Sequence, residues 1–353
     1  MSCALVLPKN ILSAVKSRTL TLRRQALVSC GSADQHKSLS VRLSQIKSSG
    51  LPTHSHFLRS PYGSFNRLPP DAGVCFPIMS ISIKTPEDIA GLRIAGRLAA
   101  ELLDYLTPFV KPGVSTGELD RLAYDYTVNV QGCIPACLGY CPPGMTPYPA
   151  TTCISINHVV CHGIPSDKKI LKAGDIVNID VTSIKNGYHG DTSRMFVIGK
   201  PTIAGKRLVD LAFGTMWAGI DAVRPGGCFN DIGRACQAYA DANGISVVRD
   251  YGGHGIGKGF HEEPHVNHFP VNRPTPKFEP GMVFTVEPMV NAGRYGVTML
   301  NDGWTVVTKD HSLSAQWEHM VLVTETGYDV LTVSKGTLPP PAFVKGWHLP
   351  ENL

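Results

Sequence analysis

The 353-residue chain has no apolar run long enough to cross a membrane, and none of its ten cysteines belongs to a Cys-x-x-Cys pair. The first absence argues against a membrane-spanning protein, and the second excludes a zinc ribbon or a thioredoxin-type motif. Beyond residue 70 the chain also lacks a basic patch that would favour nucleic-acid binding. With 43% hydrophobic and 17% charged residues, the composition is typical of a soluble globular protein whose cysteines are free thiols of a reducing compartment.

Acidic residues are nearly absent from the first seventy positions, which hold ten lysines or arginines and one acid, Asp34. A basic, serine-rich and acid-poor beginning is typical of an organelle transit peptide. We therefore predict a transit peptide and disordered basic segment over residues 1–79. Its arginine content favours the mitochondrion, with the plastid as the alternative. A disordered basic tail without an address is the competing interpretation.

Residues 175–194 predict a β-hairpin, because two apolar, β-branched runs flank an Asn-Gly dipeptide at 186–187. With that dipeptide as the turn, Thr182 lies opposite Asp191. Side chains alternate along a strand, so Asp180 shares the face of Thr182 and lies diagonally across from Asp191. The hairpin therefore brings two carboxylates to one face.

Those two acids suggest a metal site. Asp180 directly follows the apolar run 176–179, and a buried carboxylate either takes up a proton or finds a counter-charge. No lysine or arginine close in sequence is an obvious partner. We interpret Asp180 and Asp191 as metal ligands; two solvated acids beside a turn are the alternative.

Helical patterns begin near residue 80. Thr85 and Pro86 open a first helix as N-cap and first-turn proline, and a capping box at 115–118 opens a second. We predict one α/β domain over residues 80–335. The proline-containing tail, residues 336–353, has no fold pattern and is predicted to be disordered.

The second half of this domain repeats the first. A Val-x-Pro-Gly motif occurs twice, each time before a helical pattern. A strand-like run follows each of two glycines, and an acid stands six residues after each glycine: Asp180 after Gly174, and Glu287 after Gly281. The duplication predicts pseudo-twofold halves that pair their acids at the centre.

Three more residues extend the candidate metal site. Glu287 lies on the repeated strand, Glu318 lies in another strand-like run, and His254 stands among glycines that allow close approach of the backbone. With Asp180 and Asp191 they exceed the usual share of one metal but fit two cations, about 3.5–4 Å apart, that activate water and polarise a carbonyl. Oxygen-rich ligation favours Mn, Fe or Co over a thiolate-type zinc site.

Two other motifs do not carry chemistry. The segment 261–265 spells His-Glu-x-x-His, but Pro264 removes the helix that this zinc motif requires. The segment 252–258 nearly spells a phosphate-binding loop, but Gly259 stands where a Ser or Thr would bind Mg²⁺.

The chain resembles the type I methionine aminopeptidases in seven motifs that occur in the family's order: His162-Gly-Ile-Pro, Asn178-Ile-Asp, Gly187-Tyr-His-Gly-Asp-Thr-Ser-Arg, Gly253-His-Gly-Ile-Gly, Phe260-His-Glu-Glu-Pro, Thr285-Val-Glu-Pro and Gln316-Trp-Glu-His. This resemblance spans roughly residues 80–335. It implies the pita-bread (creatinase/aminopeptidase) fold, an α/β fold with pseudo-twofold duplicated halves. It also implies a metal-dependent hydrolase that removes the initiator methionine when the second residue is small.

The resemblance further implies roles for individual residues. Two divalent ions (Co, Mn, Fe or Zn) are expected on five ligands: Asp180, Asp191, His254, Glu287 and Glu318. His162 and His261 are expected to flank the scissile amide and donate hydrogen bonds, while Glu287 accepts the proton of the attacking water.

A methionine pocket is implied by the same resemblance, at Cys137, Tyr140, Tyr148, Cys153, Phe260 and Trp304. Sulfur atoms and aromatic edges suit a flexible thioether. The chain departs from the family here, because residues 141–147 lengthen the loop between Tyr140 and Tyr148. Phe260, Trp304 and Cys153 are therefore more firmly placed than Cys137 and Tyr140.

The implied partner is the N-terminal methionine of polypeptides, including nascent chains on ribosomes, with no role for nucleic acid or membrane and with a monomeric enzyme. No cysteine framework precedes Ser80, which favours an organelle form of bacterial type over the cytosolic eukaryotic members. One alternative is an aminopeptidase P or prolidase, which usually has a folded N-terminal domain unlike residues 1–80. Another is an inactive pita-bread protein that binds ribosomes, which would be expected to have lost metal ligands.

Overall fold

The computed structural model describes residues 80–351. The predicted transit peptide, residues 1–79, lies outside the described residues. Four α-helices occur in the described part: α1 (Pro86–Leu106), α2 (Thr116–Asp125), α3 (Ile203–Asp221) and α4 (Phe229–Asn243). A 3₁₀ turn (Thr107–Phe109) follows α1, and a π-helical turn (Tyr126–Val130) follows α2. Within 80–351, no helix has the length and apolar character needed to cross a bilayer.

Fifteen strands accompany the helices. The first half contributes β1 (Ile134–Pro135), β2 (Thr152–Ile156), β3 (Val159–Cys161), β4 (Ile176–Lys185) and β5 (Tyr188–Val197). The second half contributes β6 (Ser246–Val247), β7 (Gly253–Gly255), β8 (Glu262–Val266), β9 (Val283–Val286), β10 (Met289–Asn291), β11 (Val297–Met299), β12 (Val306–Thr308), β13 (Ser314–Gln316), β14 (His319–Val323) and β15 (Tyr328–Val330). The main sheet of the first half has the order β1-β4-β2 with β5 also on β4, and that of the second half has the order β15-β14-β9-β7-β8. Two small sheets, β13-β10-β6 and β11-β12-β3, complete the fold.

Local capping decides where the helices begin and end. At α1 the Thr85 hydroxyl accepts from the Asp88 amide at 3.2 Å, and the Asp88 carboxylate accepts from the Thr85 amide at 3.0 Å. At α2 only half of the predicted capping box forms: Ser115 Oγ accepts from the Glu118 amide at 3.0 Å, but the Glu118 side chain stays exposed. Gly244 ends α4 with a left-handed φ of 66°, which favours glycine.

The β4–β5 hairpin forms in the predicted register. Lys185 pairs with Tyr188, and Thr182 pairs with Asp191. The turn residues at 186–187 have φ of 52° and 83°, the pair of positive values that a type I′ turn requires. Because this register fixes which face each side chain takes, Asp180 and Thr182 project to the same side as Asp191.

Equivalent hydrogen bonds confirm the internal duplication. The bonds run from Gly113 N to Leu171 O and from Thr116 N to Lys169 O in the first half, and from Gly226 N to Phe278 O and from Phe229 N to Pro276 O in the second. Each pair ties the start of a helix to the loop that precedes a long strand. The glycines before those strands also match, because Gly174 and Gly281 have φ of 95° and 91°. The halves are therefore built on the same local plan.

Each half buries its own apolar cluster. In the first half α1 and α2 pack on β4, around Leu103, Leu119 and Ile179. In the second half α3 and α4 pack on β9 and β14, around Trp217 and Phe284. The strands that carry or flank the candidate acids therefore lie against buried apolar clusters.

The described part of the C-terminal tail is ordered, and the prediction that it is disordered is wrong. The tail 336–353 is predicted to be disordered because it has no periodic pattern, but its described part, residues 336–351, packs on the second half. Val344 and Trp347 are buried, and the Trp347 ring lies 5.3 Å from that of Trp217. Trp347 Nε1 also donates to Asp329 Oδ1 at 3.0 Å. Val344 and Trp347 hold the segment against the core, although two apolar residues are too few to form a periodic sequence pattern.

Candidate metal centre and substrate pocket

Five predicted ligands come from strands of both halves. Asp180 and Asp191 lie on the paired strands β4 and β5, and His254 lies on β7. Glu287 directly follows β9, and Glu318 directly precedes β14. A backbone bridge joins the two sheets at this point, where the Glu318 amide faces the Ser193 carbonyl at 3.4 Å.

The donor atoms converge on one small volume. Ligand atoms of Asp191, His254 and Glu318 all lie within 4.8 Å of one another. His254 Nε2 is 3.6 Å from Asp191 Oδ2 and 3.6 Å from Glu287 Oε1. Asp180 lies close enough to repel the charges of the other three carboxylates. The structure therefore brings together all five residues that were predicted to bind metal.

His254 is oriented as a metal-binding imidazole would be. Its Nδ1 lies 3.0 Å from the Gly255 carbonyl, a bond in which Nδ1–H donates. The proton on Nδ1 leaves the lone pair of Nε2 directed away from that bond and free for a cation. The glycines on either side are needed, because a Cβ at Gly253 would collide with Thr285 O and one at Gly255 with Glu263 O.

Neighbouring polar side chains hold the carboxylates through hydrogen bonds that were not predicted from the sequence. Thr182 Oγ1 donates to Asp191 Oδ1 at 2.8 Å. Thr285 Oγ1 and Gln316 Nε2 donate to the two oxygens of Glu287, at 2.7 and 3.1 Å. Thr285 stands two residues before Glu287, the strand spacing that places two side chains on one face. That spacing could have identified it.

Burial and mutual repulsion disfavour the charged forms of these acids. Burial raises the pKa of Asp180 to about 7. Burial, and then repulsion from neighbouring carboxylates, raises the pKa of Asp191, Glu287 and Glu318 well above the ordinary range. Within residues 80–351, no lysine or arginine forms an ion pair with any of the four.

The residues fit divalent cations. The donor set contains carboxylate oxygens and one imidazole nitrogen with its lone pair available, and no lysine or arginine among the described residues supplies a counter-charge. Cations would stabilise the ionised acids that burial now disfavours. The role of each residue as a ligand stays a prediction.

An apolar cluster of side chains, called the pocket below, adjoins the carboxylates, because Cys153 on β2 pairs with Asp180 on β4. It contains every residue of the predicted methionine pocket together with Met145, Ala150 and Ile164, which were not predicted. The Tyr148 and Trp304 rings meet edge to face at 5.1 Å. The buried Tyr148 hydroxyl donates a hydrogen bond shared by the carbonyls of Thr152 and Gly163, at 3.1 and 3.2 Å. The described side chains thus form one sulfur- and aromatic-lined wall.

Two neutral imidazoles lie between the pocket and the carboxylates. The His162 ring lies 6.1 Å from that of Trp304, and the His261 ring lies 4.2 Å from that of His254. Burial lowers the pKa of His162 to about 4 and that of His261 to about 2, so each is neutral at neutral pH and donates from one nitrogen. His162 also holds a left-handed φ of 54°, a strained conformation that is common at functional sites.

The two excluded motifs are absent as structures. Residues 262–266 form strand β8 rather than a helix, so the His-Glu-x-x-His spacing cannot place two ligands on one helical face. Residues 253–255 form strand β7 rather than a loop that wraps a phosphate.

Acids from two related halves, with neutral imidazoles and a sulfur- and aromatic-lined cluster beside them, define a metal-dependent hydrolase. The chain belongs to metallopeptidase family M24, whose profile matches residues 90–325.

Known relatives agree with this assignment. The chain is 56% identical to the methionine aminopeptidase of Escherichia coli K12 over 262 residues, which are 74% of this chain and 97% of the relative. The crystal structure of the methionine aminopeptidase from Rickettsia prowazekii superposes with a TM-score of 0.69 at 49% identity, over 72% of this chain and all of that one. The prolidase of Pyrococcus furiosus gives a TM-score of 0.56 at 23% identity, over 72% of this chain and 66% of that one, which shows the shared pita-bread fold alone.

Proposed function

We propose that this protein is a methionine aminopeptidase that removes the N-terminal methionine of polypeptides when the second residue is small. The observation that supports this most directly is the position of the sulfur- and aromatic-lined pocket next to the acidic cluster. A methionine side chain held in the pocket would bring its own peptide bond to the acids. The likeness to named methionine aminopeptidases supports the same substrate.

Five residues would hold the cations: Asp180, Asp191, His254, Glu287 and Glu318. Bound divalent ions supply Lewis-acid polarisation of a carbonyl and a lowered pKa for water. Ligand atoms of Asp191, His254 and Glu318 lie within 4.8 Å of one another, and Asp191 and Glu318 would serve as ligands common to both cations. Glu287 would accept the proton that the attacking water loses, and Thr285 and Gln316 hold its two oxygens in position.

The two neutral imidazoles would act as donors. A single N–H of His162 or His261 can donate to the oxygen that gains charge or to the leaving amine. Since burial keeps both rings neutral, neither adds a positive charge that would repel the cations.

A comparison of two peptides tests the activity. The purified protein, supplied with Mn²⁺ or Co²⁺, should release methionine from Met-Ala-Ser and leave Ala-Pro-Ala intact. An aminopeptidase P shares the fold and would instead cleave Ala-Pro-Ala before the proline. Cleavage of Ala-Pro-Ala in preference to Met-Ala-Ser would contradict the proposal.

We also propose that the protein acts in the mitochondrion as a monomer, on nascent or newly imported chains. The basic, acid-poor residues 1–79 support an organelle address. A tagged full-length chain should co-localise with a mitochondrial marker, while a chain that starts at Ser80 should not. Plastid or cytosolic fluorescence of the full-length chain would contradict the address, and ribosome co-sedimentation would test the nascent substrate.

A further inference from the structure

One pocket residue makes a contact that binding methionine does not require. The Tyr140 hydroxyl lies 2.7 Å from Nδ1 of His261, and the two rings stack with centroids 5.1 Å apart. The Tyr140 ring also packs on Phe260 at 4.9 Å and on Trp304 at 6.5 Å. Tyr140 therefore joins the apolar pocket to an imidazole of the site.

The long loop after Tyr140 is anchored at its base and near its C-terminal end. At the base, Tyr148 N donates to Tyr140 O and Gly139 N donates to Tyr148 O, both at 2.8 Å. Near the C-terminal end of the loop, the indole Nε1 of Trp304 donates to Thr146 O at 3.0 Å. Met145, from the same loop, packs against the pocket cluster. The extra residues thus brace the segment that carries Tyr140.

A neutral imidazole has one N–H, and its partners decide which nitrogen bears it. A phenol keeps its proton at neutral pH, so a tyrosine hydroxyl can donate to an imidazole nitrogen that has none. If Nδ1 of His261 accepts such a bond, the ring proton must reside on Nε2. His261 would then always present the same N–H for donation.

We propose that Tyr140 is a positioning residue whose hydroxyl donates to Nδ1 of His261 and fixes the tautomer with its proton on Nε2, and that the 141–147 loop holds Tyr140 in place for this purpose. The proposal rests on the proposed role of His261 as a hydrogen-bond donor. In this proposal the lengthened loop orders the site by holding Tyr140 against His261.

Nitrogen NMR tests the tautomer directly. In full-length protein labelled with ¹⁵N-histidine and loaded with Zn²⁺, the His261 resonances, assigned with His261→Asn, should show an unprotonated Nδ1 and a protonated Nε2. Tyr140→Phe should convert them to an averaged mixture of tautomers. The matched control is Tyr148→Phe, which removes a phenol oxygen from the same pocket but no bond to His261, and it should leave the tautomer unchanged.

Kinetics and loop shortening give independent outcomes. Tyr140→Phe should lower kcat on Met-Ala-Ser by about 10- to 100-fold with a smaller change in KM. Deletion of residues 142–146 should reproduce part of the tautomer mixing. A wild-type His261 protonated on Nδ1, or a spectrum that Tyr140→Phe leaves unchanged, would overturn the proposal. A fixed tautomer in a protein that fails to cleave Met-Ala-Ser would instead contradict the proposed function and leave this inference standing.

Discussion

Four carboxyl groups lie in one cleft where burial and mutual repulsion oppose their ionisation. Acids in that situation either keep their protons or bind cations. Hydrogen bonds from Thr182, Thr285 and Gln316 orient two of them without supplying positive charge. Cation binding is therefore the event that allows all four to ionise.

Glu318→Gln should lower turnover of Met-Ala-Ser by at least about 100-fold, because a neutral amide oxygen is a weaker ligand than a carboxylate. The metal-free variant should be at least as stable as the metal-free parent, since a repelled carboxyl group has been removed. Asp180→Asn should behave in the same way.

Peptide cleavage, Mn²⁺ titration calorimetry and thermal unfolding measure these effects. The matched control is Glu325→Gln, which changes an exposed acid a few residues further along and should alter nothing. Full activity in Glu318→Gln or Asp180→Asn would contradict the ligand assignment.

The affinity for divalent cations should rise with pH. Metal-free Asp180 has a pKa raised to about 7, and the other three acids also titrate above their ordinary range, so cation binding must expel protons. Each expelled proton contributes about a tenfold gain in affinity per pH unit.

The raised pKa values of these acids also determine whether the stability of the metal-free protein rises or falls with pH. The unfolded acids ionise near pH 4 and the folded ones at higher pH, so this site destabilises the metal-free protein as pH rises towards about 7. The gap in unfolding temperature between the Mn²⁺-loaded and metal-free protein should therefore widen from about pH 5.5 to 7.5. A gap that narrows or stays constant would contradict the raised pKa values.

At the scale of elements, the β4–β5 hairpin sets which acids face one another. Its turn glycine, Gly187, has φ of 83° and open space around its Cα hydrogen position. Gly187→Ala should lower the free energy of unfolding by roughly 1–2 kcal/mol, because an L-residue is strained there. The cost comes from the backbone alone, since an added Cβ would touch nothing.

Gly327→Ala is the matched control for this prediction. Gly327 also has open space but no positive φ, so its substitution should change the free energy of unfolding by less than about 0.5 kcal/mol. Urea unfolding of both variants measures the difference. Equal values for the two variants would contradict the strained turn.

The sequence predicted some elements well because their information is local. The Asn-Gly dipeptide specifies its turn and therefore the pairing of Thr182 with Asp191. Helix α3 went unpredicted, because its glycines oppose helix formation when taken alone. In the structure, side chains at Gly214 and Gly219 would collide with Tyr239 and Cys236 of α4, so these glycines serve close helix packing. That requirement becomes visible only in three dimensions.

Some residues of the candidate site could likewise be predicted from local sequence, while other contacts become visible only in the structure. Asp180 and Glu287 were predicted because they recur at a repeated spacing after a glycine, and Asp191 because the hairpin register places it near Asp180. The bond from Tyr140 to His261 joins residues 121 positions apart, and no local pattern indicates it. Gln316 belongs to one of the family's motifs, but its contact with Glu287 depends on how β10 and β13 pair.

At the scale of the whole molecule, each half contributes ligands that the other lacks. The first half supplies Asp180 and Asp191, and the second supplies His254, Glu287 and Glu318. The bridge between Ser193 and Glu318 holds the two sheets in contact at the site. The stability of the second half should also depend on the C-terminal tail, because the Trp347 ring of the tail packs on Trp217.

Trp347→Ala should lower the free energy of unfolding by about 3–5 kcal/mol, because a buried ring packed on Trp217 is lost. Phe343→Ala, in the same tail, removes a ring that is 42% exposed and should cost about 1 kcal/mol or less. Denaturant unfolding separates the two. Similar small losses in both variants would show that the tail is not part of the core.

Anomalous scattering from a crystal of the Mn²⁺-loaded protein tests the central claim most directly. Two peaks about 3.5–4 Å apart should appear among Asp180, Asp191, His254, Glu287 and Glu318. A map with no peak among these side chains, or with a lysine or arginine side chain in that space, would contradict a two-cation hydrolase.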